Sequence, residues 1–274
     1  MFSRSLSFLG RTLFLVVVGV ACLGPVLWVL LSSFKTNEQV FGAGSLLPDP
    51  FTIDGYVALF TQINILPYLT NTLVYAVGGA LGATVVGFLA AYPVARLRFP
   101  FRTSLGVIFS IAIAIPIAGL IVPEFVVMQK IGLFDTQIGM ILFYSAIGFP
   151  LSFVIFRSQL ASLPESLEEA AALDGANYFQ LLRSVILPLA RPGFATAGVL
   201  TFVNVFNDFL FNLLLAPSIE NQNMQVGLTL FRGQFSTDIT PILAGTAVVM
   251  VIPAVTFVVL QRYVIAGFTA GAVR

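Results

Sequence analysis

The chain reads as an all-α integral membrane protein with six transmembrane helices and both termini in the cytoplasm. Three observations predict this. Of its 274 residues 58% are hydrophobic and only 9% charged, with 27 Phe and a mean hydropathy of +1.00, more apolar surface than a soluble domain of this size can bury. Apolar, nearly charge-free runs of the ~20 residues that a ~30 Å hydrocarbon core demands recur along it. Third, the basic residues are distributed asymmetrically between the two sides that such runs would define.

The first span is expected at about 12–33, an uncharged run too long for a signal-peptide core and without a small-residue cleavage site, so it reads as retained. A polar connection with Pro48, Pro50 and a helical patch TIDGYVALF leads to the second span, about 68–92. Arg96, Arg98 and Arg102 form a basic turn before the third, about 103–122, which Pro116 interrupts. A short loop to Thr136 precedes the fourth span, about 137–156, and the stretch from Ser162 to Pro192 separates it from the fifth, about 193–215. A polar loop to Thr240 precedes the sixth, about 241–260. With the amino terminus inside, Arg4, Arg11, Arg96, Arg98, Arg102, Arg157, Arg183, Arg191, Arg262 and Arg274 lie inside and only Lys35, Lys130 and Arg232 outside, which accounts for all 13 basic residues. The halves show no repeat and no low-complexity linker, so residues 1–274 read as one transmembrane domain. Pro25, Pro93, Pro116, Pro150 and Pro253 inside spans are either tolerated bends or kinks that move.

The stretch 162–192, SLPESLEEAAALDGANYFQLLRSVILPLARP, gathers acids and alanines in an otherwise apolar chain. Ser162 with Glu165 three residues on has the spacing of a capping box, Pro164 suits a first turn and Gly175 a left-handed stop, which predicts a helix from about Leu163 to Asp174. Leu163, Leu167, Ala170 and Ala171 then share one face, with Glu165, Glu168, Glu169 and Ala172 opposite, as suits a helix resting on an apolar body and showing acids to a partner. Asn177 is positioned to cap a second helix that Pro188 ends.

Chemistry of other kinds is poorly provided for. Histidine is absent, Cys22 is the only cysteine, and the net charge of +1 offers no basic face for nucleic acid. The two lysines follow no glycine run of the form G-x-x-x-x-G-K-[ST], so this chain has no phosphate-cradling loop of its own. In the fifth span, NVFNDFLFNLL carries the one firmly intramembrane acid, Asp208. On a helical wheel Thr201, Asn204, Asn207, Asp208 and Phe211 fall together with Asn212 at the edge, while Phe202, Phe206 and Phe209 point away. Such a stripe either lines a polar solute path, with a ring for the apolar face of a sugar, or bonds neighbouring helices together.

The 162–192 stretch also resembles the EAA loop of permease subunits from ATP-binding-cassette importers: Glu169-Ala170-Ala171, three residues, Gly175, nine residues, then Val185-Ile186-Leu187-Pro188, with Val185 where isoleucine is usual. GPVLWVLLSSFK, AYPVARLRFPFR, IGLFDT, FNDFLF and AGFTAGAVR extend the resemblance along nearly the whole chain, to the maltose G-type permease subunit of carbohydrate importers, the group that includes maltose, trehalose and glycerol-3-phosphate systems. Phe206 stands where that family usually has tryptophan. The resemblance implies a type I (MetI-like) importer permease of a bacterial or archaeal cytoplasmic membrane. It implies a second permease as heterodimer partner, two cytoplasmic ATPase subunits holding ATP and Mg, an extracytoplasmic solute-binding protein, a sugar or sugar-like substrate, and no cofactor, metal or catalytic residue on this chain. Glu169, Ala170, Ala171, Asp174, Gly175 and Pro188 would couple it to the ATPase, and the tail from Gly267 to Arg274 would reach the ATPase pair. Two other classes remain to be weighed. A stand-alone secondary transporter of a small polar solute calls for several buried ionisable groups, and a membrane enzyme for converging His, paired carboxylates or a metal set.

Overall fold

The computed structural model describes residues 2–42, 46–232 and 238–272, with side chains described for 11–262 of these, and every element in it is helical. Tail side chains beyond Arg262, and with them the expected tail contact, lie outside the described residues. Contacts divide the chain into two compact units, Met1–Leu66 with Gly227–Val251, and Pro67–Val226 with Ile252–Arg274.

In the first unit α1 (Phe2–Ser32) keeps its apolar side chains from Leu13 to Leu23 exposed, a surface suited to lipid. Thr36 closes a capping box with Gln39 at the start of α2 (Asn37–Phe41). The patch foreseen in the connection forms α3 (Asp54–Thr61), where Tyr56 bonds Ser33 at 2.8 Å and Phe34 stacks on Phe51 with centroids 4.8 Å apart. Asn37 Oδ1 accepts from the backbone N–H groups of Ile239 (3.1 Å) and Thr240 (3.2 Å), satisfying donors that the first turn of the final helix leaves free.

The second unit is built on α4 (Leu66–Arg96), followed by α5 (Arg102–Ile111) and α6 (Ile121–Lys130). Where the third span was expected to run on through Pro116, the chain turns by 99° between Arg102–Ala114 and Ile117–Lys130, and α6 occupies the expected loop. The cause is local. A proline ring disfavours helix at the residue before it, and Ile115 is extended at φ −71°, ψ 123°.

Helix α7 (Gln137–Ser162) continues a turn and a half past the foreseen end and stops at Leu163, extended ahead of Pro164. Then come α8 (Ser166–Leu173), α9 (Tyr178–Leu181) and α10 (Leu187–Phe206). Pro188 does not end the second loop helix as expected. A π-turn at Leu182–Ile186 joins α9 to α10, and by shifting the bonding pattern just ahead of Pro188 it places the residue lacking an N–H in the opening turn of the next segment. The fifth span, expected to reach Leu215, breaks after Phe206 and resumes as α11 (Leu210–Leu215), with α12 (Met224–Gly227) and α13 (Ile239–Ala272) beyond.

Packing within this unit is close because small residues face each other. Phe88 of α4, Phe156 of α7 and Phe194 of α10 meet with centroids 4.6 to 5.4 Å apart in a core that includes Ala91, Ala190 and Ala197. Midway along α7, a Cβ on Gly148 would stand 2.6 Å from Thr201 Cγ2 and 2.8 Å from Ala83 Cβ. Gly148→Val therefore overpacks a three-helix junction and should cost ~2 kcal/mol, a melting midpoint lower by roughly 5 °C for the detergent-solubilised chain. Gly198→Ala, whose new methyl meets Thr84 Cγ2 at an ordinary 3.8 Å, should not lower the midpoint and should raise it slightly, by roughly 2 °C, in the same measurement.

Candidate functional site

Two assemblies of side chains in the second unit carry the residues singled out in the sequence. The first is the loop helix. Its expected capping box is not made: Ser162 belongs to α7 and its hydroxyl donates to the Gln159 carbonyl at 2.7 Å, while α8 starts only at Ser166 behind Glu165, which provides no side-chain cap. The other end follows the expectation. Gly175 sits at φ +76° and its N–H reaches the Ala172 carbonyl at 3.1 Å, and the Ala176 N–H reaches Ala171 at 3.0 Å, the paired bonds of a Schellman stop. Asn177 then caps α9 in a reciprocal box with Gln180.

The faces of α8 are not those of the wheel. Starting three residues late, the helix packs with Ala171 buried and Glu168 turned inward, where Arg96 offers a counter-charge at 2.7 Å. Ala170, expected on the packed face, is exposed with Glu169 and Asp174, and Leu173 projects 89% exposed. Phe179 and Tyr178 are exposed beside it, and the Tyr178 ring meets Tyr92 of α4 at 5.8 Å. The exposed surface of the loop helix is thus apolar with acids at its margin. Pro188 lies apart from it, in an open groove with Arg183, Leu187, Arg191 and Phe194.

The second assembly is a cavity of about 340 Å³. Thr201, Asn204, Asp208 and Phe211 line one side, Tyr144, Gly148 and Leu151 of α7 another, and Ile113, Ile115 and Ile117 at the break between α5 and α6 a third. Non-helical backbone at such a depth is tolerated where it borders a cavity. Asp208 Oδ2 accepts from the Tyr144 hydroxyl at 2.8 Å and from the Asn212 N–H at 3.0 Å, and Oδ1 from the Phe211 N–H at 3.4 Å, so the carboxylate caps α11. That competition for backbone donors explains the break at residues 207–209. Thr201 Oγ1 is buried with no hydrogen-bond partner while its residue borders the cavity.

The wheel assumed one uninterrupted helix, and the break removes two of its members from this group. Asn207 is exposed and its side-chain amide donates to the Val203 carbonyl at 2.8 Å within its own helix. Asn212 is wholly buried and turned to the following loop, where its Nδ2 donates to the Asn221 carbonyl (3.2 Å) and its Oδ1 accepts from the Asn223 N–H (2.7 Å). Asn223 Nδ2 in turn donates to the Asp208 carbonyl at 2.6 Å, and Asn71 Nδ2 to those of Glu220 (2.7 Å) and Gln222 (3.0 Å). Asp135, in the left-handed region at φ 55°, bonds Ser218 and Asn221 through its side chain and carbonyl. Tyr144 and the asparagines of the loop were not singled out beforehand. Tyr144 lies in an apolar run without a local signal, and Asn221 and Asn223 lie in a stretch that reads only as a polar loop.

Residues 83–268 match the family model described as binding-protein-dependent transport system inner membrane component. The chain belongs to this family. Among its relatives, the trehalose transport system permease protein SugB of Mycobacterium tuberculosis is 38% identical over 261 residues, 94% of each chain. The diacetylchitobiose uptake system permease protein NgcG of Streptomyces coelicolor is 29% identical over 262 residues, 95% of this chain and 87% of the relative. The sulfoquinovosyl glycerol transport system permease protein SmoH of Agrobacterium fabrum is 31% identical over 255 residues, 91% and 88%. Among solved structures, a chain of a bacterial ABC transporter involved in import of the acidic polysaccharide alginate superposes with a TM-score of 0.84 at 22% identity, covering 96% of this chain and 98% of that one. A chain of the inward-facing MetNI methionine transporter gives 0.58 at 19% identity, covering 77% and 97%. The fold is therefore that of the type I importer permeases. This inner-membrane component is a multi-pass membrane protein and a non-catalytic subunit.

Proposed function

We propose that this chain is one of two different permease subunits of an ATP-driven importer that moves a sugar or sugar-like solute inward across a bacterial or archaeal cytoplasmic membrane. The observation that carries the reading is the loop helix: α8 stands on a Schellman stop and shows Leu173, Ala170 and Glu169 outward from a body that otherwise consists of spans. Such a surface is suited to the cleft of a cytoplasmic ATPase. With both termini and this loop on the cytoplasmic side, as the excess of arginine favours, two ATPase subunits hold ATP and Mg, and a solute-binding protein delivers substrate from outside. Glu169 and Asp174 keep the loop in register on the ATPase while Gly175 sets the elbow. The permeases named for trehalose, diacetylchitobiose and sulfoquinovosyl glycerol support the sugar class.

In this reading Thr201, Asn204 and Asp208, which border the cavity, exchange hydrogen bonds with solute hydroxyls as the path opens, and Phe211 covers an apolar sugar face. ATP binding closes the ATPase pair, the loop helices move as rigid bodies, and the cavity opens alternately to the two sides.

Leu173→Cys in a Cys22→Ser background, treated with a short bifunctional maleimide in native membranes, should join this chain to an ATPase subunit. The complex in proteoliposomes should take up trehalose, maltose or diacetylchitobiose only when ATP is supplied to the loop side. Ion-gradient uptake of those sugars by the chain alone, with no ATPase joined through the thiol introduced at position 173, would sink the reading in favour of a secondary transporter.

A further inference from the structure

Among the described residues one ion pair ties the loop helix to α4. Arg96, the last residue of α4, has a side chain only 5% exposed and spends its guanidinium on three different segments. Its Nε donates to Glu168 Oε1 on α8 at 2.7 Å, where the Glu168 side chain is 22% exposed. Its Nη1 donates to the Leu163 carbonyl at 3.0 Å and, more weakly, to Leu160 at 3.5 Å, and its Nη2 to Pro164 at 3.3 Å. Leu163 and Pro164 form the connection where α7 stops, and the Leu160 and Pro164 carbonyls also accept from the Leu163 (3.2 Å) and Leu167 (3.3 Å) N–H groups, so the guanidinium gathers the acceptors of this turn around one charge. A guanidinium has donors in a rigid planar fork and stays charged, so it serves a carboxylate and several carbonyls at once, which a lysine ammonium on a flexible stem does less well.

We propose that Arg96 and Glu168 form a latch that makes α8 move as one body with α4 and α7. The consequence lies at the other end of the same helices. Tyr144 of α7, which bonds Asp208 in the cavity, stands ~24 Å along the helix from Leu160 at ~1.5 Å per residue, and the α4 side chain of Asn71 holds the loop that bonds Asp208 and Asn212. With the latch closed, a displacement of α8 is delivered to the cavity walls. With it open, α8 pivots about Leu163 and Gly175 and the displacement is spent locally. Arg96 is thus a positioning residue acting through Glu168. Its role rests on the proposed import function, but the latch can be read without transport.

The test places spin labels at Ala172 and Leu142, both exposed, in a Cys22→Ser background of the complex in lipid nanodiscs, with and without ATP plus vanadate. The otherwise unchanged chain should show one narrow distance distribution that keeps its width in both states. Glu168→Gln, which cuts the ion pair and leaves the carbonyl contacts of Arg96 in place, should broaden it by about twofold, as should Arg96→Gln. In proteoliposomes the sugar moved per ATP hydrolysed should fall by about fivefold in either variant while assembly with the ATPase persists, and the double variant should do no worse than Arg96→Gln alone. Unchanged widths in Glu168→Gln, a width that already broadens in the unvaried chain with nucleotide, or a parallel loss of ATP hydrolysis and uptake at constant ratio would overturn the latch and leave Arg96 as a cap on α7. Absence of any ATPase in the purified complex would overturn the importer reading instead, and label widths in the chain alone would then decide the latch.

Discussion

Gly175→Val is expected to lower ATP-driven uptake at least about tenfold while the chain still inserts and accumulates in the membrane. The position has φ +76°, and its two neighbouring bonds, Gly175 N–H to Ala172 and Ala176 N–H to Ala171, require that geometry. No atom crowds the space where a Cβ would stand, so the penalty is one of backbone conformation rather than collision. A left-handed residue costs roughly 1–2 kcal/mol without glycine, and a β-branched side chain sits at the upper end. Relaxing that strain rotates the elbow, and α8 leaves the orientation in which Leu173 and Glu169 face out together. Because ~1.4 kcal/mol is tenfold in an equilibrium, relaxation removes most of the productive loop population. Asn, which tolerates the left-handed region, should retain most of the activity in Gly175→Asn. Uptake and ATP hydrolysis measured in parallel in proteoliposomes check both variants. Undiminished uptake in Gly175→Val would show that the elbow angle does not matter to coupling.

Asp208→Leu should have the second large effect, on stability and uptake together. Leucine keeps the branching at Cγ but is bulkier and accepts nothing, so the Tyr144 hydroxyl and the N–H groups of Phe211 and Asn212 lose their acceptor in one step. Leaving partly buried donors unpaired costs ~1–3 kcal/mol each, and loss of a helix cap alone ~1 kcal/mol, so a melting midpoint lower by roughly 10 °C is expected. Tyr144→Phe, which removes one donor and leaves the cap, should cost only ~1 kcal/mol, and adding it to Asp208→Leu should cost little more, since both cut one bond. Asp208→Asn separates the two duties of the residue. Its carbonyl still caps α11, so the midpoint should fall by no more than a few degrees, whereas uptake should fall at least about fivefold if a solute hydroxyl bonds the carboxylate. Melting in detergent and sugar uptake in proteoliposomes distinguish these outcomes. An Asp208→Asn variant with full uptake would assign the residue to the architecture of the break alone.

Much of the architecture was written in local chemistry. Apolar runs of bilayer length need no tertiary information to be read, because the solvent they meet is lipid, and Gly175 and Asn177 act through bonds within a few residues of themselves. Ser162 misled because its spacing to Glu165 matched a cap while the helix before it ran on to claim it, stopped by Pro164 rather than started there. The wheel drawn through Asp208 placed Thr201, Asn204, Asp208 and Phe211 together, and all four do border the cavity. It failed for Asn207 and Asn212, since a side chain that competes for its own backbone donors breaks the periodicity a wheel presumes.

The sequence by itself therefore determined the helical membrane class, the number of apolar segments to within the broken third one, and the loop that marks the family. Those features follow from hydropathy, proline and glycine stereochemistry, and fixed spacing along the chain. Only the tertiary structure decided that Tyr144 meets Asp208, that Arg96 faces Glu168, and that an isoleucine-lined break closes the third side of the cavity. Each of those joins residues tens of positions apart, and no periodicity within one segment encodes which partner a polar group finds on another.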